Sequence, residues 1–326
     1  MYELSGKRVW VAGHRGMVGS AVARRLESEG CEVIIAPRDR IDLERQTDVE
    51  RFVDETHPNA VIMAAAKVGG ILANDRQPVE FLQRNLSMEL NVIKTAYDFG
   101  VEKLLFLGSS CIYPKLSAQP IEESALLTGP LEPTNEWYAI AKIAGIKLCQ
   151  AYMKERGARF ISAMPTNLYG PNDNFDLQTS HVLPALIRKA HEAKRANLDH
   201  VTIWGTGSPL REFLFVEDCA DALVFLMQRY EDYEHVNVGS GTDVSILELM
   251  TIVAEVVGFT GRIETDPSKP DGTPRKLMSN AKLAGMGWTP KTSLRDGISR
   301  TYDWYLTTLQ PRPNGSVSTR PTASSR

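Results

Sequence analysis

The first thirty residues constrain this chain more than any other stretch. An apolar run, RVWVA at residues 8–12, leads into Gly13-His14-Arg15-Gly16-Met17-Val18-Gly19, and SAVARRLESEG follows at residues 20–30. In order, these read as a strand, a glycine turn and a helix, with Gly30 placed to cap the helix. Glycines in such a turn let the backbone bend sharply and approach a pyrophosphate, which then rests on the helix N-terminus. The spacing is GxxGxxG rather than GxGxxG. Taken alone, the loop is also compatible with a plain βα turn.

The same alternation continues. Strands are expected over 8–12, 31–36, 60–64, 103–108 and 159–164, and helices over 17–29, 46–56, 78–99 and 137–156. Apolar strands alternating with helices imply a parallel sheet covered on both faces, a doubly wound α/β fold. Beyond residue 165 the pattern loosens, and TNLYGPNDNFDLQTSH reads as loop. A helix over 182–195, a strand over 200–204, a strand and helix within 211–229, a sheet strand in 235–240 and a helix over 246–258 follow. Past these, only short elements broken by Pro and Gly are expected. The division this suggests is a nucleotide-binding domain over 1–166, rejoined by segments near 211–240. A smaller α/β substrate domain then takes 167–210 and 241–310, and a disordered tail takes 311–326, which has no apolar face.

Composition narrows the function classes. At 326 residues, 43% hydrophobic, the chain is long enough for two lobes. A net charge of −3 gives no footprint for nucleic acid. No apolar run is long enough to cross a bilayer, and the first strand begins too early to leave room for a signal peptide. Cys31, Cys111, Cys149 and Cys219 are scattered without metal or disulfide spacing, and the histidines do not cluster. A cytoplasmic protein without a metal is expected.

The chemistry concentrates at Tyr138 and Lys142, with Ser109 upstream at the end of the apolar run KLLFLGSS. Four residues is about one helical turn, so both side chains share a face. A lysine ammonium beside a phenol favours phenolate, so Tyr138 is expected to work as an acid/base group near neutral pH. A surface Tyr and Lys at helical spacing is the bland alternative, and the glycine turn upstream weighs against it. The second strand ends in Pro37-Arg38-Asp39-Arg40. Arg38 offers a fork for a 2′-phosphate, and Arg15 adds positive charge, which favours NADP over NAD. Asp39 would instead reach the ribose if the chain turns differently, and a merely solvated turn also stays open.

Seven segments together, AGHRGMVGSA, AAAKVGGI, LGSSCIYPK, EPTNEWYAIAKIAG, MPTNLYGPNDNF, PLREFLFV and KPDGTPRK, resemble the extended short-chain dehydrogenase/reductase superfamily. Within it the chain is similar to enzymes that epimerise and reduce 4-keto-6-deoxy sugars carried on GDP, over residues 6–310. The resemblance implies that Tyr138 protonates the oxygen at sugar carbon 4. Lys142 would hold the nicotinamide ribose and depress the tyrosine pKa, and Ser109 would bind the ketone oxygen. It implies that Gly13 through Gly19 cradle the pyrophosphate of NADPH and that Arg38, with Asp39, Asp42 and Leu43, meets the adenosine end. Leu107, Gly108, Ser109, Ser110, Pro165, Thr166, Asn167, Leu168 and His181 would line the nicotinamide side. Lys189, Trp204, Arg211 and Asp271 match positions that contact the nucleotide sugar, although arginine also occurs at the place of Lys189. A homodimer through two helices of the nucleotide domain is a further implication.

A ketone at carbon 4 makes the hydrogens on carbons 3 and 5 acidic. Inversion there needs one group to remove a proton and another to return it on the opposite face. Cys111, two residues past Ser109, is the expected base through a thiolate of lowered pKa, and His181 the opposing acid. Considered alone, Cys111 would read as core and His181 as a helix cap. The competing functions are a 4-epimerase with tightly held NAD, a simple 4-ketoreductase, and a non-catalytic NADP sensor on the same fold. Neither competing enzyme needs Cys111 and His181, and sensors often lack the Tyr/Lys pair.

Overall fold

The computed structural model describes residues 1–269 and 271–309, so the tail over 311–326 lies outside the described residues. The chain begins with β1 (Arg8–Ala12), α1 (Met17–Leu26), β2 (Glu32–Ile34), α2 (Gln46–Thr56) and β3 (Ala60–Met63). A short helix α3 (Ile71–Arg76), α4 (Pro78–Asp98), β4 (Lys103–Leu107), α5 (Glu136–Arg156) and β5 (Phe160–Pro165) follow. Pro78 starts α4, where its missing N–H costs nothing, and Gly157 ends α5 in the left-handed conformation.

These strands and β9 (Val236–Val238) form a six-stranded, all-parallel sheet in the order β2-β1-β3-β4-β5-β9. Strand residues alternate between two buried faces. Val9, Val11 and Leu105 pack toward α1 and α7 (Val216–Arg229), while Trp10, Val61 and Phe106 pack toward α2, α4 and α5. Because both faces are covered, the strands read in the sequence as continuous apolar runs. Strand order reverses between β1 and β3. In open α/β sheets that is where a ligand crevice forms, at the carboxyl ends of the strands.

The remaining elements are β6 (Asn167–Tyr169), α6 (Val182–Arg195), β7 (His200–Trp204), β8 (Leu210–Phe215), β10 (Asp243–Ser245), α8 (Ile246–Val257), β11 (Arg262–Asp266), β12 (Arg275–Lys276), α9 (Ala281–Gly285) and α10 (Leu294–Leu309). Strand β8 does not join the large sheet; it pairs with β6, β10 and β12. A separate core gathers Ile187 of α6, Ile203 of β7, Phe213 of β8, Val253 of α8 and Ile298 of α10. Ser245 and Glu248 close a capping box at the start of α8.

Two expectations are corrected here. The stretch after 165 is not all loop, since Asn167–Tyr169 pairs with β8. The C-terminal part is not only short elements, because α10 runs for 16 residues. Gly297 in its first turn is a packing requirement: a Cβ there would stand 2.2 Å from the Tyr169 hydroxyl.

Candidate active site

The glycine turn is shaped by close approaches. Gly13 adopts φ +97°, open to glycine but rare for other residues, and a Cβ on it would lie 2.6 Å from the Ala65 nitrogen just past β3. A Cβ on Gly19 would lie 2.2 Å from the Gly13 oxygen, so α1 could not start so near the turn with any side chain there. Gly16 is the N-cap of α1 and offers no side chain to the first helical N–H groups. A cavity of about 360 Å³ opens here, lined by Gly13 through Gly16, Arg38, Asp42 and Leu43. Arg38 and Arg15 have no carboxylate partner among the described residues, whereas Arg40 turns away to Glu55 and lies over the Phe52 ring. Asp39 is exposed and does not line the cavity, nor do Met17, Val18 and Gly19. A helix N-terminus, a side-chain-free cradle and an uncompensated arginine are the donor set that a dinucleotide with a 2′-phosphate requires.

At the end of β4 the chain enters a 3₁₀ turn over Ser110–Ile112, and Ser109 Oγ accepts from the Cys111 N–H at 3.4 Å. A Cβ on Gly108 would stand 2.2 Å from Met164 Sδ, so a side chain there would require the end of Met164 to move. The turn is anchored from behind: the Tyr113 hydroxyl faces His235 Nε2 at 2.9 Å, and Asn237 Nδ2 donates to the Ile121 carbonyl at 3.0 Å. Ser109, Cys111 and half-buried Tyr138 converge here, with Phe81 edge-on to the Tyr138 ring.

The electrostatics of this cluster run opposite to the sequence expectation. Burial raises the Tyr138 pKa well above that of free tyrosine, the negative charges of Cys111 and Glu89 add to the rise, and the Ser109 hydroxyl opposes it. Lys142 does not depress it. Its Nζ donates to the Leu107 carbonyl at 3.0 Å and pairs with Glu89 Oε1 at 3.1 Å, which spends its charge on a carboxylate rather than on the phenol. Cys111 is corrected in the same direction. Burial raises its thiol, and the opposing pull of Lys276, Ser109 and Lys142 is weaker.

Thr166 and Asn167 follow β5, and both side chains donate to the Glu212 carbonyl, at 3.4 and 2.8 Å. Pro165 ends β5, Leu168 lies in β6, and the structure ties this turn to β8. None of Leu107 to Ser110 or Pro165 to Leu168 lines the cavity at the glycine turn.

The residues matched to the sugar nucleotide come together from four elements. Lys189 on α6 donates to the Thr202 carbonyl at 3.1 Å and sits 5.6 Å from the Trp204 ring centre. Trp204 ends β7 and is 54% exposed, so it is not core. Asp271 accepts from the Thr206 N–H at 2.7 Å and the Thr206 hydroxyl at 2.9 Å, just past Trp204. Asp271 also favours the cationic form of Arg211, whose pKa burial lowers. Arg211 and Glu212 are not an ion pair. Glu212 is fully buried and accepts from the Gly241 and Met278 N–H groups at 2.8 and 3.1 Å. His181 is the N-cap of α6 without a side-chain cap bond. Its surface is open, yet the protein atoms crowded round the imidazole disfavour the cation and lower its pKa.

Two residues here escaped the sequence reading. Glu89 was assigned no role. The signal was its place on the buried face of α4, alongside Phe81, Asn85, Met88 and Val92. Lys276 lies in the KPDGTPRK segment without an assigned role. Its strand β12 pairs with β8 opposite Arg211, and it is the strongest favourable charge on Cys111.

The model of the NAD dependent epimerase/dehydratase family matches residues 9–239. The chain belongs to that family. Over 309 residues it is 65% identical to the GDP-L-fucose synthase of Sinorhizobium fredii, covering 95% of this chain and 98% of that protein. It is 50% identical over 313 residues to the GDP-L-fucose synthase of Escherichia coli, covering 93% and 98%. A crystal structure of a GDP-L-fucose synthetase from Naegleria fowleri bound to NADP superposes with a TM-score of 0.85 at 30% identity, covering 93% of this chain and 95% of that one. No described helix is long and apolar enough to cross a membrane.

Proposed function

We propose that this protein converts GDP-4-dehydro-6-deoxy-D-mannose to GDP-L-fucose, inverting carbons 3 and 5 and then reducing carbon 4 with NADPH. The observation that carries the reading is the convergence of Ser109, Cys111 and Tyr138 at the end of β4, because a simple reductase has no use for the thiol. The relatives at 50–65% identity support it as a whole.

The glycine turn and the N-terminus of α1 would hold the cofactor's pyrophosphate, and Arg38 its 2′-phosphate. Lys142 would take the nicotinamide ribose, and Leu107 to Ser110, Pro165 to Leu168 and His181 would enclose the nicotinamide side. NADPH, when bound, supplies the hydride that turns the carbon 4 ketone into an alcohol. Tyr138 gives its hydroxyl proton to the carbon 4 oxygen, and its raised pKa suits it to donating rather than abstracting. Ser109 and Tyr138 stabilise the oxyanion of the enolate in both inversions. Cys111 removes the proton at carbon 3 or 5, and His181 returns one from the opposite face. Lys189, Arg211 and Asp271 bind the nucleotide sugar, and Trp204 offers its exposed face to the base.

The lobes follow this division of labour, with the cofactor on residues 1–166 and the sugar nucleotide on 167–210 and 241–310 together with Arg211 of β8, which pairs with β6, β10 and β12. A cytoplasmic setting fits four free cysteines. A homodimer through α4 and α5 fits the exposure of Leu90, Trp137 and Ile140 on those helices.

The test follows NADPH oxidation with the 4-keto sugar nucleotide. Turnover coupled to sugar is the expected result, and no cofactor consumption would point to a 4-epimerase or a sensor. Cofactor choice has its own test. Arg38→Ala removes a charge-assisted contact worth about 1.5–3 kcal/mol, so NADPH affinity should fall roughly 10- to 100-fold while NADH use stays level. An unchanged NADPH/NADH preference would relieve Arg38 of its role as selector.

A further inference from the structure

No step above uses Glu89, yet its position is tightly specified. It lies on α4, and its Oε1 is 3.1 Å from Lys142 Nζ on α5, with side chains 3% and 2% exposed. Lys142 is its only partner among the described residues. Gly145, nearly one turn along α5 from Lys142, makes room for the carboxylate: a Cβ there would stand 2.9 Å from Glu89 Oε2 and 2.4 Å from the Phe106 ring. A buried ion pair in an apolar helix interface is poor value as a source of stability, since both ions lose their hydration.

The geometry gives the pair another use. An ammonium carries three donors. Lys142 gives one to the Leu107 carbonyl at 3.0 Å, and the Glu89 carboxylate holds the same ammonium as an ion pair at 3.1 Å, so the two anchors together fix its place beside Tyr138. Tyr138 lies one turn back on the same helix, its ring centre 5.8 Å from Nζ. We propose that Glu89 is a positioning residue for the reduction: it orients the Lys142 ammonium and balances its charge, so that Tyr138 keeps its proton until the alkoxide at carbon 4 forms. The Tyr138 O–H bond then breaks as the alkoxide O–H bond forms, leaving a phenolate beside Ser109 and Lys142. This inference rests on the reductive half of the proposed function.

The groups that face this pair are few. On α5 they are Tyr138 and Cys149; after β4 they are Ser109 and Cys111; and Ser162 of β5 lies against Cys149. Of these, Glu89 and Cys111 hold the Tyr138 proton on, with burial the larger cause.

The experiment compares wild type, Glu89→Gln and Glu89→Asp for NADPH oxidation with the 4-keto sugar nucleotide across pH, alongside thermal melting. Glutamine keeps the size and removes the charge. The expected result is a kcat lowered about tenfold or more, little change in KM for the sugar, and an alkaline limb moved about one pH unit or more toward acid. Aspartate should lower kcat yet leave the limb near its wild-type position. A merely structural residue would lower the melting temperature without moving the limb. A wild-type limb in the folded glutamine variant overturns the proposal. If glutamine prevents folding, wild-type kcat in the aspartate variant overturns it instead. Wild type that leaves NADPH unoxidised contradicts the proposed function itself, a result distinct from either.

Discussion

Tyr138→Phe is expected to slow sugar-dependent NADPH oxidation by about 10²–10⁴-fold, the contribution of a well-placed general acid. The ring and its edge-on contact with Phe81 survive, so only the proton donor is lost. The glycine cradle, Arg38 and Lys142 are untouched, and NADPH binding should hold at its wild-type value. The pH profile carries the sign. Because burial raises the Tyr138 pKa, the hydroxyl stays protonated through neutral pH, and reduction by wild type should not fall between pH 6 and 8 for want of its proton. A steady-state comparison of the two proteins reads this directly. Near-normal turnover in the phenylalanine variant would remove Tyr138 from its role.

Cys111→Ser should separate inversion from reduction. Serine keeps the shape but is a far weaker acid, so proton removal at carbons 3 and 5 should slow about 10²–10⁴-fold. Ser109, Tyr138 and Lys142 remain, and the ketone can still be reduced, giving an uninverted 6-deoxy sugar. The buried thiol is raised from its ordinary value, so the thiolate is the minor form at neutral pH. Exchange by wild type should therefore quicken as pH rises, until the thiolate dominates. His181→Asn should impair reprotonation instead, so exchange and inversion should not fall in step. Deuterium uptake followed by NMR separates these outcomes, and wild-type exchange in the serine variant would return Cys111 to packing.

Much of this arrangement was legible because it is local. The glycine turn, Ser109 at a strand end and the Tyr138/Lys142 pair each lie within one supersecondary unit, where spacing alone sets the geometry. Helix α8, expected over 246–258, runs over Ile246–Val257. What stayed hidden depends on contacts distant in sequence. Glu89 meets Lys142 only because α4 packs on α5, and that contact takes up the charge the lysine was expected to turn on the tyrosine. The lowered thiol pKa expected of a base is overturned by the depth of the turn over Ser110–Ile112, which outweighs the cations around it. Strands β6 and β12 are two or three residues long and hold no periodicity to read. Helix α10 carries a glycine, Gly297, in its first turn, and the reason for it lies across the core at Tyr169.

The most direct test of the bifunctional reading is one incubation of wild type with NADPH and GDP-4-dehydro-6-deoxy-D-mannose in heavy water, with the product examined by NMR. The account predicts GDP-L-fucose bearing solvent deuterium at carbons 3 and 5, its carbon 4 hydrogen having come from NADPH. A reduced product that keeps the manno configuration and carries no deuterium at either carbon would contradict it.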